Sequence, residues 1–257
     1  MFKTSGFVLR RNDYREYDRI YTVYTSDFGK IPLLVRSAKK IKSKLAPALE
    51  NFGEIKIDFA KGKVFNHLSG SRTLAVNKNI LKDAEKIGLA QDCLYLLDRF
   101  IKPEEADENI FSHLKIVLSA IADAPVSVIA RRYSDEATPL KTGSPRPFGA
   151  RDEIFVKISI YFFWKLVELL GYGPRLDECA LCGAESGIMN KELWFNITDN
   201  ILICKNCAGE GFLISGETLE NLRKIFCSGL AEFLQTDLDN QLISITEKAK
   251  QIKLSEL

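Results

Sequence analysis

Glu54-Ile55-Lys56-Ile57-Asp58-Phe59 alternates polar and apolar residues without a break, which puts Ile55, Ile57 and Phe59 on one buried face of a β-strand. Short runs rich in β-branched and aromatic residues surround it. They are Gly6 to Arg10, Arg19 to Thr25, Lys30 to Val35, and a last stretch through Val64 to Leu68 or Thr73 to Val76. Ser26-Asp27-Phe28-Gly29 and Lys61-Gly62-Lys63 supply turn residues between them. Five short strands in about 75 residues predict a small closed barrel, because closure removes the unpaired edges such a sheet would otherwise carry.

Beyond Leu81 the apolar period changes to that of helices. Ala84, Ile87, Ala90, Leu94, Leu97 and Ile101 form one stripe and Ile110, Leu114, Val117, Leu118 and Ile121 another, with Pro103 and Pro125 where the helices should break. Residues 134–152 hold three prolines and two glycines with few apolar residues, which predicts an exposed, flexible loop. A strongly apolar helix is predicted from Ile154 to Leu170, ended by Gly171, Gly173 and Pro174, and Ser215 is a candidate N-cap for a further helix through Phe226. The fold class is therefore α+β and multidomain. An N-terminal barrel occupies residues 1–78, and a mainly α-helical domain occupies 79–257, with a cysteine-bearing ribbon inserted at about 175–212.

That ribbon is defined by Cys179-Ala-Leu-Cys182 and Cys204-Lys-Asn-Cys207, two Cys-x-x-Cys knuckles with 21 residues between them. This is the spacing of four-cysteine zinc sites, in which two thiolates from each knuckle complete a tetrahedron with no open position. Such a Zn2+ site holds one structural ion and cannot activate water. Two disulfides, or a ribbon without metal, are the competing readings. The start of the chain has no apolar secretory segment, and the apolar run Ile158 to Trp164 is cut by Lys157 and Lys165, so neither export nor a membrane anchor is expected. A reducing, cytoplasmic location favours metal over disulfides. Cys93 and Cys227 fall on apolar helical positions and are expected to be buried thiols.

The net charge of +2 conceals an asymmetry: residues 1–75 carry 15 Lys and Arg against 7 Asp and Glu, a net of +8, leaving −6 for the remainder. A basic head on an acidic body points to a polyanionic partner. The signal peaks at Arg36-Ser-Ala-Lys39-Lys40-Ile-Lys42-Ser-Lys44, directly after a predicted strand, and Arg10, Arg11, Arg15, Arg19, Lys30 and Arg72 add cations to the same unit. Tyr14 and Tyr17, ahead of the alternating strand, are the expected exposed stacking faces; Tyr21, Tyr24 and Phe28 lie among the same cations. Neutralising about five phosphates would give a single-strand log–log salt slope near −3.5. Catalytic residues are not apparent. His67 and His113 stand apart from any cysteine or acidic pair, Gly171-Tyr-Gly173 lacks the rest of a dinucleotide fingerprint, and there is no Gly-Lys-Ser/Thr phosphate loop.

With these parts in order, the sequence resembles the RecO family of bacterial recombination mediators over almost its whole length. The resemblance is carried by Gly6 to Arg10, by Asp13-Tyr14-Arg15-Glu16-Tyr17-Asp18-Arg19-Ile20 leading to Phe28-Gly29-Lys30, and by Leu166 to Pro174 running into Cys179-Ala-Leu-Cys182-Gly183. It implies an N-terminal OB-fold that binds single- and double-stranded DNA, through Arg10, Arg15, Arg19, Arg36, Lys39, Lys40, Lys42, Lys44 and Arg72 here. It also implies a helical domain with a zinc ribbon, annealing of complementary strands, and RecR as a partner. A groove for the C-terminal tail of single-strand-binding protein, indirect action on RecA, and a cytoplasmic, nucleoid-associated, non-enzymatic role follow from it as well. The sequence departs from the family's usual pattern at Ser37 and in the lysines from Lys39 to Lys44. Two other classes stay open: a zinc-ribbon nuclease, for which Asp13, Glu16 and Asp18 form only a weak carboxylate cluster beside arginines that can pair with them, and a protein-interaction adaptor.

Overall fold

The computed structural model describes residues 1–49, 52–125, 153–185, 193–207, 209 and 211–256. The loop predicted at 134–152 lies outside these residues. Five strands, β1 (Phe2–Tyr14), β2 (Asp18–Thr25), β3 (Gly29–Val35), β4 (Ile55–Ala60) and β5 (Asn66–Thr73), close into a barrel in the order β1-β2-β3-β5-β4. All pairs are antiparallel except β3 with β5, and the short helix α1 (Ala46–Leu49) connects β3 to β4. This is the OB topology. Tyr21, Val23, Ile31, Leu33, Ile55, Ile57, Phe59 and Leu68 fill the interior, so the strict alternation of β4 reads out as it should.

The fifth strand shares Asn66 to Leu68 with the first alternative drawn from the sequence and only Thr73 with the second. It falls between them, because Leu68 alone is buried in a strand of small polar residues, so pairing with β3 and β4 defines it where hydrophobic pattern cannot. A bulge at Asp58/Phe59 shifts its register. Gly6 sits where β1 pairs with both β2 and β4, and a Cβ there would meet Val23 Cγ1 at 2.7 Å and Tyr24 O at 2.8 Å.

Helix α2 (Ala84–Phe100) begins later than the periodicity suggested, because Ile80–Lys82 forms a 3-10 turn and Asp83 caps the helix, accepting from the Glu85 and Lys86 amides. It is followed by α3 (Glu108–Asp123), capped by Asp107, and by α4 (Glu153–Val167). The last turn of α4 widens into a π-type turn, Glu168–Tyr172, and ends at Gly171, whose φ of 85° is the left-handed conformation open to glycine. A three-stranded antiparallel ribbon follows, β6 (Leu193–Asn196), β7 (Ile201–Cys204) and β8 (Phe212–Ile214), in the order β7-β6-β8. Helices α5 (Gly216–Cys227), α6 (Leu230–Phe233) and α7 (Asn240–Ser255) complete the chain. Ser215 caps α5 by accepting from the Thr218 amide, as its position predicted. Among the described residues no helix is long and apolar enough to cross a membrane.

Helix α4 is the centre of the body. Ile158, Phe162, Phe163, Trp164 and Leu166 are fully buried, and the Trp164 indole donates to Thr246 Oγ1 on α7 at 2.8 Å while its ring meets Phe195 of β6 edge-on. Lys86 is also buried, its ammonium donating to Ala122 O at 2.8 Å and to Ala124 O, so a cation from α2 closes the C-terminus of α3. The barrel joins the same core through residues on its outside. Phe7, Leu9 and Tyr24 belong to the helical cluster, with Phe7 and Tyr24 against Phe111. The Tyr24 hydroxyl donates to Asp107 O and accepts from Asp107 N, each at 3.2 Å, which ties β2 to the start of α3. Gly29, at φ 62°, lies so close to the segment between α2 and α3 that a Cβ would stand 2.3 Å from the Glu105 carbonyl.

His113 has the structural role expected of it. It stacks on the Phe162 ring, and its Nε2 lies 3.2 Å from the Phe162 carbonyl, which can only accept, so that nitrogen carries the proton. Burial lowers its pKa from 6.5 to about 4. The unfolded chain therefore binds the extra proton first as pH falls, and stability rises with pH across the interval from about 4 to 6.5. Urea titrations should show a loss of up to about 3 kcal/mol across that interval on acidification, and His113→Gln should remove that component.

Candidate nucleic-acid interface and metal centre

The turn between β1 and β2 and the loop between β3 and α1 form one unit held by carboxylates. Asp13 receives Arg19 Nε at 3.1 Å and Lys39 Nζ at 3.0 Å, and Asp18 accepts from the Ser37 amide at 2.8 Å. The Lys39 amide donates to Tyr17 O at 3.0 Å, and Ala38 is buried in the barrel core. Arg15 (φ 53°) and Ser37 (φ 55°) take left-handed conformations at these two turns. The far end of the loop is fixed where Ser71 Oγ donates to Leu45 O at 2.9 Å, next to Arg72 on β5.

This frame sorts the cations singled out in the sequence. Arg36, Lys40, Lys42, Lys44 and Arg72 are exposed. Arg15 lies over the Tyr14 ring at 5.2 Å from its centroid, and Lys40 over Tyr17 at 4.9 Å. Arg19 and Lys39 are committed to Asp13 and position the loop. Arg10 stands apart. It pairs with Asp98 on α2, Nε to Oδ2 at 3.4 Å, and Lys30 reaches the other oxygen of the same carboxylate at 3.5 Å, so both serve the joint between barrel and helices. With Asp13 and Asp18 spent on the loop, no free cluster of carboxylates remains at Asp13, Glu16 and Asp18 to hold catalytic metal.

A cleft of about 390 Å3 opens between the β1–β2 turn and the β4–β5 loop, lined by Tyr14, Arg15, Asp18, Leu34, Arg36, Lys63, Val64, Phe65 and His67. Tyr14, expected to be exposed, is half-buried here because its ring packs edge-on against Phe65, while Tyr17 is exposed. The sequence reading passed over Phe65 and left Lys63 and His67 in other roles. Turn chemistry and a lone histidine gave no sign that the barrel would fold all three against Tyr14.

The four ribbon cysteines converge. Their sulfur atoms lie within 4.8 Å of one another, and Cys182 and Cys204 Sγ are 3.7 Å apart. A tetrahedral ion with bonds of about 2.3 Å separates its ligands by about 3.8 Å, whereas a disulfide brings sulfurs to about 2 Å, so the spacing fits a shared cation and not two cystines. The first knuckle is shaped by Gly183 (φ 71°), whose amide donates to Cys179 O, and docks on β7 through the Ala180 amide and Leu202 O. Burial opposes charge on Cys179, but amides of Cys204, Cys182 and Leu181 outweigh it and draw the thiol down to about 6. Cys207, hydrogen-bonded to Cys182 and Cys204, is pushed up to about 12. Four sulfurs this close cannot all ionise without a cation among them. Cys93 is buried as expected. Cys227 is exposed instead, because it is the last residue of α5 and points away from the Ile225 face that packs on the core.

The described residues thus join a five-stranded OB barrel with a basic loop end to a helical body that carries a four-cysteine ribbon. The family model described as Recombination protein O N terminal matches residues 1–76, and that described as Recombination protein O C terminal matches residues 156–248. The chain belongs to the RecO family of DNA repair proteins. Among its relatives are proteins named DNA repair protein RecO from Geobacter metallireducens, 27% identical over 88% of this chain and 81% of the relative, and from Dehalococcoides mccartyi, 27% identical over 96% and 87%. A third, from Thermoanaerobacter sp., is 24% identical over 93% of this chain and 82% of its own.

The geometry at Asp13 makes a local prediction. Hydrogen bonds from Lys39 and then Arg19 hold its carboxyl below the usual 3.8. Its contribution to ordering the loop is therefore present above the ordinary carboxylate range and lost as pH falls through the lowered value. A carbon-13 NMR titration should find the Asp13 carboxyl titrating below its normal pH, and Lys39→Ala should return it upward.

Proposed function

We propose that the chain is a non-enzymatic recombination mediator. It binds single- and double-stranded DNA at the basic end of the barrel and anneals complementary strands. With RecR it helps load RecA onto DNA coated by single-strand-binding protein, whose C-terminal tail the helical domain receives. The observation that supports this most is the fixed basic loop: Arg36, Lys40, Lys42 and Lys44 are exposed on it and Arg72 on β5, and Arg36 with Arg15 and Lys63 lines the aromatic cleft of an OB barrel in a chain whose N- and C-terminal parts both match the family. Lysines and arginines supply phosphate affinity without reading sequence, and Tyr14, Tyr17 and Phe65 offer faces on which any base can stack, which is what an annealing protein requires. Annealing needs no bond made or broken. Both strands must be neutralised and brought together, and a cationic surface indifferent to sequence does that.

Mixing complementary oligonucleotides coated with single-strand-binding protein should show accelerated annealing when the protein is added, and no acceleration would refute the reading. Single-strand affinity should fall with salt at a log–log slope near −3.5, and replacing Lys40, Lys42 and Lys44 together by Ala should flatten it by about 2 while leaving stability unchanged. Lys39 is kept in that variant because it holds the loop.

The cysteines, in the same proposal, hold one structural Zn2+ through Cys179, Cys182, Cys204 and Cys207. The ion would neutralise the thiolates and lock both knuckles to β7; four protein ligands leave it no position for water. Elemental analysis should find one zinc per chain. Cys204→Ser should lower the melting temperature markedly while changing DNA affinity per folded molecule by less than about two-fold, since a closed site contributes to folding.

A further inference from the structure

Ile41 stands at the crest of the basic loop with its side chain wholly in solvent, at 106% relative exposure. The Ser43 amide donates to Lys40 O at 2.9 Å, which places Ile41 and Lys42 at the centre of a tight turn, and the Lys40 amide closes the preceding turn on Ser37 O at 3.1 Å. Turn centres favour Gly, Pro, Asn, Asp and Ser, whose backbone preferences or side-chain hydrogen bonds stabilise the bend. A β-branched aliphatic gains nothing of the kind, and here it gains no burial either. Single exposed aliphatics are ordinary on protein surfaces, so exposure is only part of the argument.

The rest is how the residue is presented. Both feet of the loop are anchored, by Ala38 in the barrel core and the Lys39 amide on Tyr17 O at one side, and by Ser71 on Leu45 O at the other, so Ile41 is held out and cannot fold back. Lys40 and Lys42 flank it, and Lys40 lies over the exposed ring of Tyr17. An aliphatic tip between cations is the chemistry of elements that pry open a base step: the lysines hold phosphates on either side while the apolar group replaces part of the stacking. We infer that Ile41 is a wedge that enters a base step of duplex DNA when the basic loop docks. The inference rests on the DNA-binding reading above and assigns to the loop a second action, local unstacking, that charge alone does not provide.

A duplex carrying 2-aminopurine, whose fluorescence rises on unstacking, separates the two actions when anisotropy reports binding in the same sample. The protein should raise the fluorescence, and Ile41→Ser should reduce that rise by about three-fold or more while its melting temperature is unchanged and its duplex affinity weakens by less than about five-fold; Ile41→Leu should restore the signal. Loss of binding by Ile41→Ser that Ile41→Leu restores would support the wedge equally. An undiminished rise with Ile41→Ser, binding by the unaltered protein with no rise, or a defect that Ile41→Leu does not repair would overturn it and leave the DNA-binding reading standing. Absence of binding by the unaltered protein would instead sink that reading itself.

Discussion

The middle of β1, Gly6 to Leu9, and the second half of β2, Tyr21 to Thr25, are covered on both faces, and the architecture depends on that constraint. Tyr21 and Val23 point into the barrel while Tyr24 and, from β1, Phe7 and Leu9 point out of it into the helical core. A barrel wall would ordinarily alternate apolar and polar residues. Here the wall is itself an interface, so the polar groups it must carry are paired across the joint, the Tyr24 hydroxyl with Asp107 and the Lys30 and Arg10 cations with Asp98. One side of the barrel is thereby given to the body. Exposed cations are left at the end where the β1–β2 turn and the β3–α1 loop meet.

Electrostatics follows the same division. Arg10, Arg19, Lys30 and Lys39 look alike in sequence, yet each faces a carboxylate that the fold brings to it, Asp98 or Asp13. The two pairs on Asp13, whose carboxylate is exposed, add little to global stability. Their value is positional: Asp13 gathers two cations from separate segments and so fixes the loop from which Arg36, Lys40 and Lys42 project. A loop ordered in this way would lose less conformational entropy on docking against a ligand.

Much of this was legible in the sequence, for reasons that differ by element. The period-2 pattern of Glu54 to Phe59 and the 3.6-residue stripes of α2 and α3 are local signals, and both survive in the fold because each element has one buried face. Strand β5 was misplaced because its residues carry no such face; partners distant in sequence select it. Helix α7 escaped notice because its buried residues, Leu242, Ile245, Thr246 and Ala249, are few and include a polar one whose hydroxyl is needed by Trp164. The cysteine spacing identified correctly that the four thiols converge on one point. By contrast, the cleft assembled from Tyr14, Phe65, Lys63 and His67 joins two loops about 50 residues apart, and nothing short of the barrel's closure brings them together.

The ribbon shows why a metal belongs where a core cannot form. Its three strands have four, four and three residues, too little to bury a core of their own. One face solves this by resting on the body, with Leu193, Phe195, Leu202 and Ile214 joining the cluster around α4. Among the described residues the other face buries Ile203, Cys179 and Cys204, with Trp194, Ile201 and Cys207 partly covered. Hydrophobic burial on that side is too small to hold the first knuckle, which touches β7 through the Ala180 amide. Four thiolates around one ion would supply a directional cross-link in place of apolar area, between segments that the chain separates by 21 residues. The cysteine cluster is therefore placed beside β6, whose Phe195 meets Trp164 at the centre of the body.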